Sequence, residues 1–178
     1  MKSLPLILLC IAVSACAEYK KGAPESSSGN ALKTQLAAST HELYAEANEL
    51  YEQGRISDAV TKLEVGVERG DEYCRELLGL ILLREPSVQN IARGFSLMSE
   101  AAQGGLASAQ FYLGSCLYDD GCYLPENKTL SAYYLSQAFE NGEVGAEMLL
   151  GFLEDELGEV KLSPKEFESM LGQYKNNL

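Results

Sequence analysis

The chain has 178 residues, of which 46% are apolar and 22% are charged, a composition typical of one folded domain rather than of a disordered segment. It carries 14 basic and 26 acidic residues, for a formal net charge of -12. A surface this acidic repels nucleic acid and anionic lipid headgroups, which excludes nucleic-acid binding and favours a basic protein partner.

The N-terminal segment has the pattern of an export signal. Met1 and Lys2 precede an apolar run from Leu4 to Val13 that is too short to span a bilayer and ends in small residues. The sequence Val-Ser-Ala-Cys at 13–16 resembles the lipobox of bacterial lipoproteins. This resemblance implies a signal peptide over 1–15 and a Cys16 that is lipidated, with palmitate-like acyl chains that anchor the mature chain in the membrane.

The residue after Cys16 is Ala17, not the aspartate associated with inner-membrane retention, so the resemblance implies an outer-membrane lipoprotein facing the periplasm. The alternative is a plain A-x-A cleavage site at 15–17, which would release a soluble periplasmic or secreted protein. The segment 16–38 begins without apolar periodicity and has the composition of a flexible tether, the alternative for its last part being a helix from Ala31, with Leu32 and Leu36 four residues apart. Ser39 and Glu42 then form a capping box, which predicts a folded domain over 39–178.

Three similar segments follow, and each ends in a Leu-Gly pair. They read RGDEYCRELLG, GGLASAQFYLG and NGEVGAEMLLG, and end at Gly79, Gly114 and Gly151, which are 35 and 37 residues apart. Each has a glycine nine positions before that end and a small residue four positions after this glycine: Gly70 with Cys74, Gly105 with Ala109, and Gly142 with Ala146. A period of this length indicates a helical repeat protein, in which small residues let successive helices approach closely.

An amphipathic stretch also precedes each of these glycines, at 59–68, 95–103 and 132–140, with apolar residues three and four apart. Each repeat is therefore predicted to be a helical hairpin, and the hairpins are placed at about 42–69, 72–103, 107–141 and 144–176. The last one is indicated by the N-cap sequence Ser163-Pro164, with Glu166 completing a capping box. We expect Leu171 and Tyr174 of this closing hairpin to cover the end of the stack.

The segment "EAAQGGLASAQFYLG" at 100–114 resembles the consensus of the Sel-one-like repeat family, which is related to the tetratricopeptide repeat. The segment "NELYEQGRISDAV" at 48–60 is similar to an ordinary tetratricopeptide. Gly94 and Ser131 depart from the family, which has alanine at these places. The resemblance covers about 42–152 and implies an all-α fold, a right-handed solenoid of about four stacked helical hairpins.

Three cysteines follow Cys16 in the mature chain. Cys116 and Cys122 enclose five residues in the connection of the third repeat, and an oxidising compartment favours a disulfide between them, the alternative being two free thiols. Cys74 occupies the small-residue position of its repeat and is predicted to be a buried spacer. The chain has no C-x-x-C pair and one histidine, so no metal or other cofactor is predicted.

The inventory of reactive groups predicts no catalytic residues. His41 is the only imidazole, and neither a G-x-S-x-G stretch nor a glycine-rich phosphate loop is present. Non-enzymatic binding of a protein is therefore the expected function. Tyr112 and Tyr118 lie near the stripe that related solenoids turn toward their concave surface, and acidic residues near the ends of equivalent helices in the third and fourth repeats form an acidic edge that suits a basic partner. The candidate partner-binding residues are Tyr112, Tyr118, Asp119, Asp120, Gln110, Glu147 and Glu154.

Three functions are compatible with this sequence. The first is a scaffold or adaptor lipoprotein that holds an envelope protein on its concave face. The second is an immunity protein that neutralises a basic antibacterial toxin in the periplasm, because small acidic lipoproteins of this repeat family include such proteins. The third is an enzyme or β-lactam-binding protein acting on the cell wall, for which no nucleophile and base are evident in the sequence.

Overall fold

The computed structural model describes residues 41–119 and 122–178, and these ranges contain helices and no strands. The predicted signal peptide, Cys16, the tether and the cap residue Ser39 lie outside the described residues, as does Asp120. The helices are α1 (41–52), α2 (Ile56–Glu68), α3 (Glu72–Arg84), α4 (Ile91–Gln103), α5 (Ala107–Tyr118), α6 (Lys128–Glu140), α7 (Ala146–Leu157) and α8 (Pro164–Asn176). Over the described ranges, no helix is apolar and long enough to traverse a bilayer.

The helices form a solenoid in which neighbours in the chain are neighbours in space. From α2 to α7 each helix packs on the next one, and the three core clusters follow one another along this stack. Helices α1 to α6 lie within the first three predicted hairpin spans, as α1–α2, α3–α4 and α5–α6. The prediction of an all-α solenoid is confirmed.

The glycine that separates successive hairpins ends a helix in the same way each time. Gly70, Gly105 and Gly142 have φ values of +81°, +93° and +94°, a left-handed conformation that side chains with a Cβ rarely adopt. The next residue then donates its backbone N–H five residues back, as Asp71 does to the Gly66 carbonyl at 3.0 Å. This Schellman ending satisfies carbonyls that the helix leaves without partners and turns the chain into the following helix.

The Leu-Gly pair marks the point where the two helices of a hairpin cross. A Cβ added to Gly79 would lie 3.0 Å from the Gly94 carbonyl oxygen and 2.7 Å from Met98 Cγ, so α3 and α4 touch through their backbones. In the third repeat the Ser131 hydroxyl donates a 2.7 Å hydrogen bond to the Gly114 carbonyl. Gly94 and Ser131 stand where the family consensus has alanine, and both allow this close approach.

The last helix does not complete the fourth hairpin as predicted. Helix α8 packs on α4 and α6 instead of forming an extensive contact with α7. The Phe167 ring stacks on Tyr133 with ring centroids 4.2 Å apart, Tyr174 packs on Phe95 at 4.9 Å, and its hydroxyl donates to the Pro125 carbonyl. Leu171 and Tyr174 belong to the same core cluster as Phe95 and Tyr134, so they are buried against the middle repeats and not over the end of the stack.

Candidate functional site

A groove of about 390 Å³ runs along the first helices of three successive repeats, α3, α5 and α7. It is lined by Leu80, Arg84, Phe111, Tyr112, Ser115, Cys116, Tyr118, Asp119, Cys122 and Leu149. We call this surface the α3–α5–α7 groove. A concave site with an apolar lining and a few polar groups is the usual form of a binding site.

The repeat register determines which side chains reach this groove. Tyr112 and Leu149 are 37 residues apart and occupy equivalent positions of α5 and α7, and Leu80 and Ser115, 35 residues apart, are equivalent on α3 and α5. Leu113, the neighbour of Tyr112, is fully buried in the core, whereas Tyr112 remains 42% exposed. Helix α5 therefore anchors one face in the core and presents the adjacent face to the groove.

The ring of Tyr112 is supported by its neighbour Phe111, with ring centroids 5.9 Å apart in a tilted arrangement. Tyr118 lies at the other end of α5 and is half-buried. A tyrosine offers a rigid apolar ring and a polar hydroxyl at little cost in conformational entropy, which explains why it is common in protein interfaces. Tyr112, Tyr118 and Asp119, three of the predicted binding residues, line this groove, and their contact with a partner stays a prediction.

A disulfide closes the groove at the end of α5. Cys116 and Cys122 are joined, with their Cα atoms 5.2 Å apart, and both line the groove. The bridge ties the connection between α5 and α6 to the last turn of α5, next to Tyr118 and Asp119. The backbone N–H of Asn127 also donates to the Leu117 carbonyl at 2.9 Å. The disulfide and this hydrogen bond fix the wall of the groove on which Tyr118 lies.

The polar groups of the groove carry both signs of charge. Arg84 is the last residue of α3, and Asp119 caps the C-terminus of α5 at the position equivalent to Arg84. A cation is favoured and an anion disfavoured at the end of a helix, where the dipole is negative. Asp119 therefore adds to a negative potential at its end of the groove, while Arg84 offers a donor to an acidic or carbonyl group of a ligand.

An aromatic patch lies on the first helices of the first two repeats. The rings of Tyr44 on α1 and Tyr73 on α3 are 5.9 Å apart. Burial raises the pKa of Tyr44, and the charges of Glu76 and Tyr112 raise it further. The patch was missed at the sequence level because Tyr44 lies outside the three Leu-Gly repeats.

Glu76 is a buried carboxyl group beside this patch. It is 8% exposed, and its Oε1 atom has no hydrogen-bond partner. Burial raises the pKa of Glu76, and a hydrogen bond from the Ser108 side chain opposes this rise by favouring the ionised form. The repeat register was the signal for this residue, because Glu76 lies where the next repeats have Phe111 and Met148.

Three of the predicted binding residues lie elsewhere. Gln110 is 4% exposed, and its amide is used within the chain: it donates to the Ala102 carbonyl and accepts from Asn141, both at 2.9 Å. The prediction that Gln110 contacts a partner is therefore wrong, since these bonds tie α5 to the ends of α4 and α6. Glu147 and Glu154 are exposed on α7, and Glu154 lines a different groove, between α6 and α7.

The remaining candidates for chemistry are either buried or isolated. Cys74 is fully buried, as its repeat position predicts, and burial raises the pKa of its thiol to about 12. A Cβ on Gly66 would lie 2.2 Å from its Sγ, so Cys74 fills the space between α2 and α3. His41 is exposed at the start of the described part of α1. In residues 41–119 and 122–178 no three His, Cys, Asp or Glu side chains gather as a metal site would require.

Comparisons with known proteins address the fold. No family model matches this chain, and no curated protein matches it. Among solved structures, the chain is similar to the crystal structure of a Sel1 repeat protein from Oxalobacter formigenes, with a TM-score of 0.55 and 17% sequence identity over 78% of this chain. The chain spans 59% of the length of that protein. At this level of identity the likeness shows the fold, and the chain has the helical-repeat solenoid of a Sel1 repeat protein.

Proposed function

We propose that the chain is a non-enzymatic protein-interaction module that binds a segment of a partner protein in the α3–α5–α7 groove. The observation that carries this proposal is the continuity of the groove across three repeats, with the exposed Tyr112 in its lining. Helical-repeat solenoids commonly use such extended concave surfaces for binding. The groove supplies shape and contact area, and its described residues supply no nucleophile paired with a base.

The lining defines what a ligand needs. Leu80, Phe111 and Leu149 offer apolar contact area, and the rings of Tyr112 and Tyr118 offer additional hydroxyl groups. A partner segment with apolar anchors and a basic group toward Asp119 would complement this surface. The formal charge of -12 for the whole chain would steer such a basic partner to the groove at low ionic strength.

The proposal includes a place in the bacterial envelope. The lipobox-like sequence that ends in Cys16 supports an outer-membrane lipoprotein exposed to the periplasm. A disulfide between Cys116 and Cys122 agrees with an oxidising compartment. Metabolic labelling with an alkyne-bearing palmitate should mark the wild-type chain and not the Cys16→Ser variant. Release of a soluble, unlabelled wild-type protein would instead support cleavage at the A-x-A site.

A second candidate function is that of an immunity protein that neutralises a basic antibacterial toxin. The specific observation in its favour is the excess of 26 acidic over 14 basic residues in a chain of this size. Both functions use a bound protein, and they differ in the identity of that protein. A toxin whose gene lies next to the gene for this chain, and whose killing is blocked by this chain, would establish the immunity function.

The test of the groove is site-specific photo-crosslinking in the envelope of the source organism. A photoreactive residue at position 112 or 118 should capture one defined protein, and the same residue at position 139 should not. Phe139 is a matched control because it is 45% exposed, close to the 42% of Tyr112, and lies on α6 outside the groove.

The captured protein should then be purified and its affinity measured. Tyr112→Ala is expected to weaken binding by roughly 2 kcal/mol, about thirtyfold, as for a buried aromatic anchor, with no change for Phe139→Ala. Equal capture at positions 112 and 139, or equal affinity of the two variants, would remove the groove as the binding site.

A further inference from the structure

A second groove of about 400 Å³ lies between α6 and α7 and shares no residue with the α3–α5–α7 groove. Tyr133, Gln137 and Glu140 of α6 form one side, Leu150 and Glu154 of α7 form the other, and the loop 159–162 closes one end. We call this surface the α6–α7 groove. The internal repeat indicates what kind of structure fits beside α7.

The second and third repeats show how the equivalent place on their first helix is covered. Gly79 of α3 lies against Gly94 of α4. Gly114 of α5 lies against Leu135 of α6 and accepts a hydrogen bond from the Ser131 hydroxyl. A Cβ at Gly114 would lie 2.7 Å from Leu135 Cγ. In both repeats the second helix packs a small residue against this glycine. One turn later, a Met or Leu side chain of the same helix also contacts the glycine.

The fourth repeat keeps the glycine without this contact. Gly151 follows Gly114 by 37 residues and occupies the same place in the helix. A Cβ at Gly151 would meet nothing within 4 Å. The residues beside it are exposed, with Met148 at 67% and Phe152 at 55% of their surface, although both are apolar. Helix α7 thus keeps the glycine on which a second helix would pack, but no second helix packs there in the described chain. We call this place on α7, around Gly151, the seat.

Helix α8 is the second helix of this repeat by sequence position. Its N-cap Ser163 precedes Phe167 by four residues, just as Asn90 precedes Gly94 and Asn127 precedes Ser131. A phenylalanine therefore stands where the other repeats have glycine or serine. Between Gly79 and Gly94 even an added Cβ would lie 3.0 Å from the carbonyl oxygen of the other glycine, so a phenylalanine ring does not fit in a helix crossing of this kind and α8 does not pack on Gly151 in this way.

The charges around the seat are predominantly acidic. Glu140, Glu154 and Glu159 line the α6–α7 groove together with one cation, Lys161, which pairs with Glu159 at 2.7 Å. Glu147 and Asp155 are exposed and lie one turn to either side of Gly151, on the same face of α7. A second copy of this chain would bring like charges together if it docked through the same face.

We propose that the α6–α7 groove, together with the exposed face of α7 around Gly151, binds an amphipathic helix of a partner protein, with a small residue on Gly151 and Lys or Arg side chains toward Glu140 and Glu154 of the groove. The apolar side of this helix would cover Leu150 and Met148. The binding surface lies on a different part of the molecule from the α3–α5–α7 groove, and the proposal does not depend on binding there.

The probe that tests this proposal is a synthetic helical peptide with the sequence of α6, Lys128–Glu140, in which the residues that face solvent are replaced by lysine. It retains Ser131 and Leu135, the two residues that contact Gly114 in this chain. A first control peptide carries glutamate in place of these lysines. A second carries Ser131→Phe, which reproduces the residue that excludes α8 from the seat.

The protein variants are Gly151→Leu and, as a matched control, Gly172→Leu. Gly172 is also an exposed helical glycine with nothing within 4 Å of an added Cβ, but it lies on α8. Both variants are expected to fold, because both glycines are exposed and a Cβ added at either position meets nothing within 4 Å. Gly151→Leu places a bulky side chain in the seat of the incoming small residue.

The lysine peptide is expected to bind wild-type protein and the Gly172→Leu variant equally, and to bind Gly151→Leu at least about tenfold more weakly. The glutamate and Ser131→Phe peptides should bind at least about tenfold more weakly than the lysine peptide. Failure of the lysine peptide to bind, or equal binding to Gly151→Leu, would overturn the proposal. A dimer in sedimentation that Gly151→Leu abolishes would assign the surface to self-association instead. These outcomes leave crosslinking at Tyr112 unaffected, so the two sites are tested separately.

Discussion

The second and third repeats differ from the fourth in how one glycine is used. The second helix of the same hairpin packs on Gly79 through Gly94, and on Gly114 through Ser131. Gly151 occupies the same repeat position and has open space where the second helix would lie. The fourth repeat differs mainly in that second helix, whose corresponding residue is Phe167.

This difference separates two kinds of information in a repeat. The glycine before each Leu-Gly segment ends the preceding helix. The Leu-Gly pair specifies the next helix and leaves a place on its surface without a side chain. Closing the hairpin requires a small residue on the opposite helix, because two backbones approach only where neither side chain stands between them. Phe167 removes that possibility and supplies an aromatic ring, which packs against Tyr133 and Tyr134 with centroids 4.2 Å and 5.7 Å away.

The largest effect is expected from Phe167→Ala, which removes the ring that holds α8 on α6. Phe167 is 4% exposed, and truncation of a buried phenylalanine typically costs about 3 kcal/mol. Chemical denaturation should show this loss, and hydrogen exchange should show α8 opening before the other helices. The control Gln173→Ala removes an exposed side chain of the same helix and should change little. Protection of α8 that is unchanged in Phe167→Ala would show that other contacts position this helix.

The next prediction compares the same substitution at two glycines. Gly79→Ala is expected to lower the free energy of unfolding by about 2 kcal/mol, because the added methyl group meets the Gly94 carbonyl and the Met98 backbone nitrogen, each at 3.0 Å. Gly151→Ala meets nothing and should raise stability by about 0.5–1 kcal/mol through the higher helix propensity of alanine.

Urea denaturation of both variants under identical conditions measures this difference in sign. A loss of stability in Gly151→Ala would mean that Gly151 is packed in solution, and that α8 or another segment covers it. A gain of stability in Gly79→Ala would mean that α3 and α4 are farther apart at their crossing than the contacts around Gly79 indicate.

The order and type of the helices could be predicted because both depend on local signals. Gly70, Gly105 and Gly142 mark helix ends, and Ser163 with Glu166 forms the predicted capping box. The closing arrangement of α8 could not be predicted from the same signals. Its N-cap resembles those of the other second helices. The place where α8 packs depends instead on aromatic contacts with Phe95 and Tyr133, which are distant in sequence.

The candidate site shows the same division. Tyr112 and Tyr118 were predicted from the repeat register and line the groove. Gln110 was also predicted to be a contact residue, yet it is buried with its amide bonded to Ala102 and Asn141. A polar side chain that makes hydrogen bonds inside the core cannot be distinguished by sequence pattern from one that faces solvent.

The smallest predicted effect concerns the repeat position that holds Glu76 in the second repeat and Phe111 and Met148 in the next two. Burial raises the pKa of Glu76 above its usual value of 4.5, so the folded state binds this proton more tightly than the unfolded state. The corresponding contribution to stability is present below the unfolded pKa and is lost as the pH rises through the folded pKa.

Glu76→Gln replaces the ionisable group by a neutral one of similar size. The stability of the variant relative to wild type is therefore expected to increase as the pH rises from 4.5 toward neutrality, and to level off once wild-type Glu76 is fully ionised. Thermal unfolding of both proteins across this range measures the difference, with Glu68→Gln, an exposed carboxylate in the last turn of α2, as the control. A difference that does not vary with pH would show that Glu76 is as well solvated in the folded protein as in the unfolded chain. The carboxyl group would then differ from Phe111 in the next repeat by remaining in contact with water.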